Sequence, residues 1–264
     1  MGTKTFRADF IVCKKTKLKE TDLIITGLAS DGSLFKAVAK GARKPTSSLS
    51  SRLEVGNECH ALLVKGKSLD IITECRLITA HEAIWTDYAA VIGSAPIAEF
   101  SCIAAVEELP NPKLYELTNA AFDAIQKCAD LEKNPSCYVT VSLAYILKAL
   151  AFCGFKPSFV ECIGCGETVP IAHAAQHHSL LAFSSIEGGV VCQACRPQYE
   201  TITVSALNIV WLHKLLYATF NEMITTDVDP LIQRELIQVE KMLIENHLQM
   251  HLRSFEYLLQ NALL

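Results

Sequence analysis

Residues Leu23 to Lys44 read LIITGLASDGSLFKAVAKGARK, and their pattern decides the N-terminal fold. Two short runs rich in β-branched and apolar residues, Leu23 to Ala29 and Leu34 to Ala39, flank Asp31-Gly32. Glycine accepts the positive φ that a tight turn matching strand twist requires, so the pair predicts a hairpin. Working outward, Phe6 to Cys13, Cys59 to Lys65 and Leu69 to Ile78 supply three more strands, with Lys65-Gly66-Lys67 turning between the last two. Five short strands over residues 1–80 predict a small β-barrel of the OB type, and an SH3-like barrel fits the spacing nearly as well.

After Trp85 the apolar residues recur at three- and four-residue spacing, which predicts an α-helical second domain over residues 81–264. Asn134-Pro135 opens one helix, whose run Val139, Leu143, Ile146, Leu147, Leu150 stops at Gly154. Asp229-Pro230 opens another that carries Leu231, Leu236, Val239, Leu243, His247 and Leu248 and is read as extending toward Leu259. Between them, from about 157 to 203, the helical period gives way to a Cys- and Gly-rich insert. The fold class is therefore α+β and multidomain.

Composition narrows the function. Half of the 264 residues are hydrophobic and a fifth are charged, without low-complexity tracts, so the chain folds throughout. The longest apolar run, Tyr138 to Phe155, contains Lys148 and reads as a buried helix rather than a membrane span. Met1 to Asp9 lacks an apolar export segment, and the eleven cysteines are odd in number and irregularly spaced. Reduced thiols and a cytoplasmic location are expected. The net charge of −4 conceals a strong asymmetry: residues 1–80 hold 14 Lys and Arg against 8 Asp and Glu, and the remainder 10 against 20. A basic module is joined to an acidic one.

Two constellations carry chemistry. Cys162-Ile163-Gly164-Cys165 and Cys192-Gln193-Ala194-Cys195 form two knuckles, each able to grip one face of a tetrahedral ion. One structural Zn2+ is expected, because four cysteine ligands leave no position for water or substrate. The intervening 26 residues are slightly longer than usual for such a site. Four unmetallated buried thiols, or a redox pair, are the alternatives, and His173, His177 and His178 are potential substitute ligands. The second constellation is the basic run Lys40, Arg43, Lys44 with Arg52 close behind, joined by Lys14, Lys15, Lys17 and Lys19. It reads either as a phosphate-binding barrel rim or as an ordinary solvated face. Aromatic residues in this module are limited to Phe6, Phe10 and Phe35, and the first two fit the core side of a strand. Base stacking is therefore poor, and salt-sensitive phosphate contact with single and double strands is expected.

Enzyme motifs fail on inspection. Gly66-Lys67-Ser68 ends like a P-loop, but Ala61 stands where its first glycine belongs. His81-Glu82 begins like a zinc-protease helix, but Trp85 replaces the second histidine, and no G-x-S-x-G elbow occurs.

A basic five-strand module, a helical body and a four-cysteine insert, in that order, resemble the RecO family over the whole chain. The most specific pieces are Ala37-Val38-Ala39-Lys40-Gly41-Ala42-Arg43-Lys44 and Lys65-Gly66-Lys67-Ser68-Leu69-Asp70-Ile71-Ile72. Gly154-Phe155-Lys156-Pro157 leading into Cys162, then Phe183-Ser184 and Gly188-Gly189-Val190-Val191-Cys192 to Arg196, is similar to the zinc-bearing branch. The first barrel loop departs: where the family commonly carries Gly-Glu, this chain has Lys19-Glu20-Thr21-Asp22. The resemblance implies a non-enzymatic recombination mediator in DNA repair that binds single- and double-stranded DNA through an OB-fold and anneals complementary strands. It further implies association with RecR and with the C-terminal tail of single-stranded DNA-binding protein, indirect help to RecA in loading, and residence at the nucleoid. Lys40, Arg43 and Lys44 match the family's basic loop; Arg52 is included for its proximity. The rival reading is an RNA-binding or translation-associated OB protein with a zinc ribbon, and a zinc-dependent or thiol-redox enzyme is more remote.

Overall fold

The computed structural model describes residues 4–261. Met1, Gly2 and Thr3, the start of the segment expected to lack an export signal, lie outside the described residues.

Five strands, β1 (Thr5–Lys17), β2 (Leu23–Ala29), β3 (Leu34–Ala39), β4 (Glu58–Val64) and β5 (Asp70–Thr79), close into a barrel in the order β1-β2-β3-β5-β4. All neighbours are antiparallel except β3 and β5, which run parallel over Ala37–Ala39 and Asp70–Ile72. This is the OB-type barrel; the SH3-like alternative falls away. Closure depends on β1, whose first half pairs with β4 from Thr5 to Ile11 while its second half pairs with β2 from Phe10 to Lys17. A register shift between Val12 and Lys14 bends the strand from one neighbour to the other. At that bend β2 presents Gly27, where a Cβ would lie 1.8 Å from the Ile11 carbonyl oxygen. Only glycine admits so close an approach.

Alternation sorts the side chains. On β4, Cys59, Ala61 and Leu63 are buried while their neighbours face outward, and on β3 the buried set is Phe35, Ala37 and Ala39. Phe10 and Phe35 stack in the core with ring centroids 4.0 Å apart, and Phe6 packs against the same cluster. The expected Asp31-Gly32 turn is present, with Gly32 at φ +80° and the Asp31 carboxylate accepting from the Ser33 amide at 2.9 Å. β1 runs four residues beyond the expected Cys13, because Lys14 to Lys17 are solvated and carry no apolar alternation to read.

The chain divides into two compact units, residues 1–132 and 133–264. The first therefore takes in α1 (Ala83–Thr86), α2 (Tyr88–Ala104) and α3 (Pro112–Asp130) along with the barrel. α2, capped by Asp87, packs on β1 and β2, and α3 packs on α2. His81, the first residue of the discounted protease-like pair, is buried; it bridges the Gly56 carbonyl at 2.7 Å and the Asp123 carboxylate at 2.8 Å.

The second unit is built around α4 (Ser136–Phe152), which is buried on all sides from Ser136 to Leu147. Such a helix reads as apolar all round because neighbours cover every face. Here α6 (Ala206–Tyr217), α7 (Phe220–Ile224) and α8 (Pro230–Leu248) pack against it. Lys148 sits near its end, donating to the Leu216 carbonyl at 2.7 Å, and burial holds its ammonium down at about 8. Among the described residues no helix is long and apolar enough to cross a membrane. α8 stops at Leu248, with Gln249 left-handed at φ 53°, and α9 (Arg253–Asn261) follows as a separate helix rather than a continuation toward Leu259. Nine of the eleven cysteines are free thiols; Cys128 and Cys137 are disulfide-bonded, against the expectation that all are reduced.

Glu240 on α8 is fully buried, and among the described residues neither carboxylate oxygen has a hydrogen-bond partner. Burial raises its pKa well above 4.5. The folded state therefore holds this proton more tightly than the unfolded state. The carboxyl costs nothing below the unfolded pKa, and stability falls as pH climbs from there toward the folded value. Glu240→Gln should raise the melting temperature more at pH 8 than at pH 5, the gain in stability growing by up to about 1.4 kcal/mol per pH unit within the titration window. An equal gain at both pH values, measured by calorimetry, would show that Glu240 is not the titrating group.

Candidate nucleic-acid interface and metal centre

The β3–β4 loop carries the basic run. Lys40, Lys44 and Arg52 line one open cavity of about 590 Å³ together with Ser47, Ser48 and Arg76. The Arg52 guanidinium is anchored by donation to the Cys75 carbonyl at 2.9 Å. Lys40 and Lys44 are exposed, and two ammonium groups and a fixed guanidinium around a polar hollow suit phosphate oxygens.

Arg43 serves differently. Its Nη1 donates to the carbonyl oxygens of Lys19 at 3.2 Å and Glu20 at 2.7 Å, and its amide donates to Thr21 at 2.9 Å. Asp22 accepts from the Gly41 amide at 2.8 Å, and that hydrogen bond holds its carboxyl below the ordinary range. The departing segment Lys19-Glu20-Thr21-Asp22 is thus the clamp of the basic loop. Lys14, Lys15 and Lys17 lie on β1 and do not line the cavity; Lys15 is ion-paired with Glu54. Sequence reasoning missed Arg76, which only the β5 register brings to the cavity wall.

In the second unit the insert builds a three-stranded sheet, in the order β7-β6-β8, from β6 (Leu180–Ser184), β7 (Gly189–Val191) and β8 (Ile202–Ser205). Its small core stacks Phe159 and Phe183 with ring centroids 6.1 Å apart. β7 delivers Cys192, and the Ile163 amide bonds to Val190 at 3.0 Å, bringing the first knuckle alongside the second. All four Sγ atoms of Cys162, Cys165, Cys192 and Cys195 lie within 4.8 Å of one another. A metal–sulfur bond of about 2.3 Å gives a tetrahedron edge of about 3.8 Å, and Cys165 and Cys192 are 3.8 Å apart. Backbone amides of Gly164 and Cys192 donate to the Cys162 sulfur at 3.4 and 3.2 Å. Burial opposes its ionisation, but these amides and that of Cys165 outweigh burial and bring the thiol down to about 6. The donor set fits a tetrahedral metal ion. His173, His177 and His178 are exposed and outside the cluster.

An OB-type barrel with a cationic loop cavity, followed by helices and a four-cysteine cluster able to hold a metal ion, defines a class of barrel-and-finger proteins. Family comparison places the chain within that class. Residues 1–81 match the model of Recombination protein O N terminal, and residues 86–256 match Recombination protein O C terminal. The DNA repair protein RecO of Bifidobacterium adolescentis is 31% identical over 256 residues, covering 96% of this chain and 98% of that protein. The protein of the same name from Desulfitobacterium hafniense strain DCB-2 is 28% identical over 254 residues, covering 95% and 88%. The chain belongs to the RecO family.

Arg43→Ala should speed amide hydrogen exchange from Gly41 to Lys44, whereas Lys40→Ala and Lys44→Ala should leave it unchanged; equal exchange in all three would remove the clamp. For the metal centre, Cys162→Ser or Cys192→Ser should abolish bound metal, read by mass spectrometry, and unfold the insert. A well-folded, metal-free variant would refute its structural role.

Proposed function

We propose that this protein is a non-enzymatic recombination mediator in DNA repair. It binds single- and double-stranded DNA by phosphate contact, anneals complementary strands, and works with RecR to load RecA onto DNA coated with single-stranded DNA-binding protein. The observation that carries the DNA reading is the open cavity where Lys40, Lys44 and Arg52 converge, a cavity that no aromatic residue lines. Such a surface offers cations and no stacking platform, so contact follows the backbone and not the sequence. Two strands held through their phosphates lose part of the repulsion that slows pairing. The names of the relatives support DNA repair as the setting, and the partners follow from family membership: RecR, the acidic C-terminal tail of single-stranded DNA-binding protein and, indirectly, RecA. The protein acts in the cytoplasm, at the nucleoid.

The metal is a single structural Zn2+, held by Cys162, Cys165, Cys192 and Cys195. When bound it supplies no catalysis; it ties two knuckles of an insert too small to be stable on its own core.

The deciding measurement is the annealing rate of complementary oligonucleotides coated with single-stranded DNA-binding protein. The wild type should accelerate annealing, and the Lys40→Ala, Lys44→Ala, Arg52→Ala triple variant should lose most of that acceleration while keeping its fold. No acceleration by the wild type, with tighter binding to structured RNA than to DNA, would replace this reading with the RNA-binding one.

A further inference from the structure

The loop cavity does not end at Arg52. Its far wall includes Glu74 and Arg76 of β5, and the same two residues line a second hollow of about 170 Å³ with Arg7, His60 and Leu62. Glu74 and Arg76 line both, so the two hollows adjoin on the barrel surface.

Register explains how. Arg7 pairs with Leu62, and Leu62 pairs with Glu74; Asp9 pairs with His60, and His60 pairs with Arg76. These six residues form two cross-strand rows on the outer face of β1, β4 and β5, with neighbours about 5 Å apart. The buried residues Cys59, Ala61 and Leu63 fix that parity from beneath. A register shift between Leu62 and Leu63 keeps Glu74 and Arg76 in step with the β4 residues of the outer face.

The charges of this face are unequally committed. His60 is engaged with Asp9. Arg7 and Arg76 are exposed, and among the described residues neither guanidinium has a hydrogen bond or ion pair. A surface arginine that serves the fold is bonded to it, as Arg43 is; two unbonded guanidiniums along two adjoining hollows keep their donors for an external anion.

We propose that Arg76 and Arg7 are further nucleic-acid-binding residues, which carry a single strand by its phosphates from the loop cavity across β5 and β4 to β1. The inference rests on the nucleic-acid reading of the loop cavity and extends it to a face of the barrel that the basic loop does not reach. Glu74 lies between the two arginines without an ion pair among the described residues, and its carboxylate is the repulsive element of the track. It weakens the grip of the track on a passing phosphate.

Fluorescence anisotropy of labelled oligothymidylates, about 6 and about 16 nucleotides long, tests the track as a function of salt. Arg7→Ala with Arg76→Ala should weaken the longer oligonucleotide roughly tenfold and lower the slope of log affinity against log salt by about 1.4, or 0.7 per lost contact. Binding of the shorter one should weaken less, because Arg7 lies outside the loop cavity that Arg76 helps to line. Glu74→Gln should tighten the longer one. Wild-type binding with an unchanged slope in the double variant would overturn the track while leaving the loop reading intact, provided that Lys40→Ala with Lys44→Ala lowers affinity. An unaltered affinity in Glu74→Gln would likewise count against the path. No binding by the wild type would overturn both.

Discussion

Closure of β1 onto both β2 and β4 is the constraint on which the first unit depends. A five-strand barrel has an interior that side chains alone can fill, so every strand is forced into strict inward and outward alternation. The register shift at Cys13 lets one strand serve two partners, and Gly27 is the residue that admits the resulting contact. Once closed, the barrel takes Phe10 and Phe35 into its core and packs the half-buried Phe6 against it. The loop cavity is left with mainly charged and polar side chains and no aromatic ring. On the function proposed above, such a barrel would meet nucleic acid through phosphates, with an affinity that depends on salt rather than on base identity.

The second unit meets the limit of core size in another way. α4 is covered on all sides and anchors the helices, but the insert between α4 and α6 has only short strands and a core of a few residues such as Phe159, Phe183 and Val190. A segment of that size cannot bury enough apolar surface to offset its ordering entropy. Four thiols converging within 4.8 Å supply the missing cross-link once metal is bound. The donation of two backbone amides to Cys162 shows that the knuckle is shaped for a thiolate and not for a buried neutral thiol.

Local signals were legible in the sequence where they were covalently close. The Asp31-Gly32 turn fixed β2 and β3 to the residue, and two Cys-x-x-Cys pairs gave the four-cysteine cluster, because turn chemistry and knuckle geometry depend on neighbours only a few positions apart. Long-range register was not legible. Arg76 reaches the loop cavity through pairing of His60 with Arg76, and nothing around Arg76 in the sequence announces it. The Lys14 to Lys17 extension of β1 was hidden because solvated residues carry no apolar period. The end of α8 was hidden because Gln249, rather than glycine, adopts the left-handed turn. The grouping of α1 to α3 with the barrel is a property of packing on β1 and β2, which helical periodicity does not encode.

The charged loop is held by the segment in which the sequence departs from the family. Asp22 takes the Gly41 amide and Arg43 takes two carbonyls of the segment Lys19-Glu20-Thr21-Asp22, contacts that tie the two loops together. Arg43 is thereby spent on holding the backbone, while Lys40 and Lys44 remain exposed on long stems beside it. For the phosphate contact proposed above, a fixed backbone would lower the ordering cost of binding, and exposed ammonium groups on long stems would adapt to phosphates of either one strand or two. Sequence-independent binding requires both properties together. A fully mobile loop would lose affinity to entropy, and a fully rigid one would select a single backbone geometry. The division of labour between Arg43 and its neighbours Lys40 and Lys44 supplies each property from a different residue of the same loop.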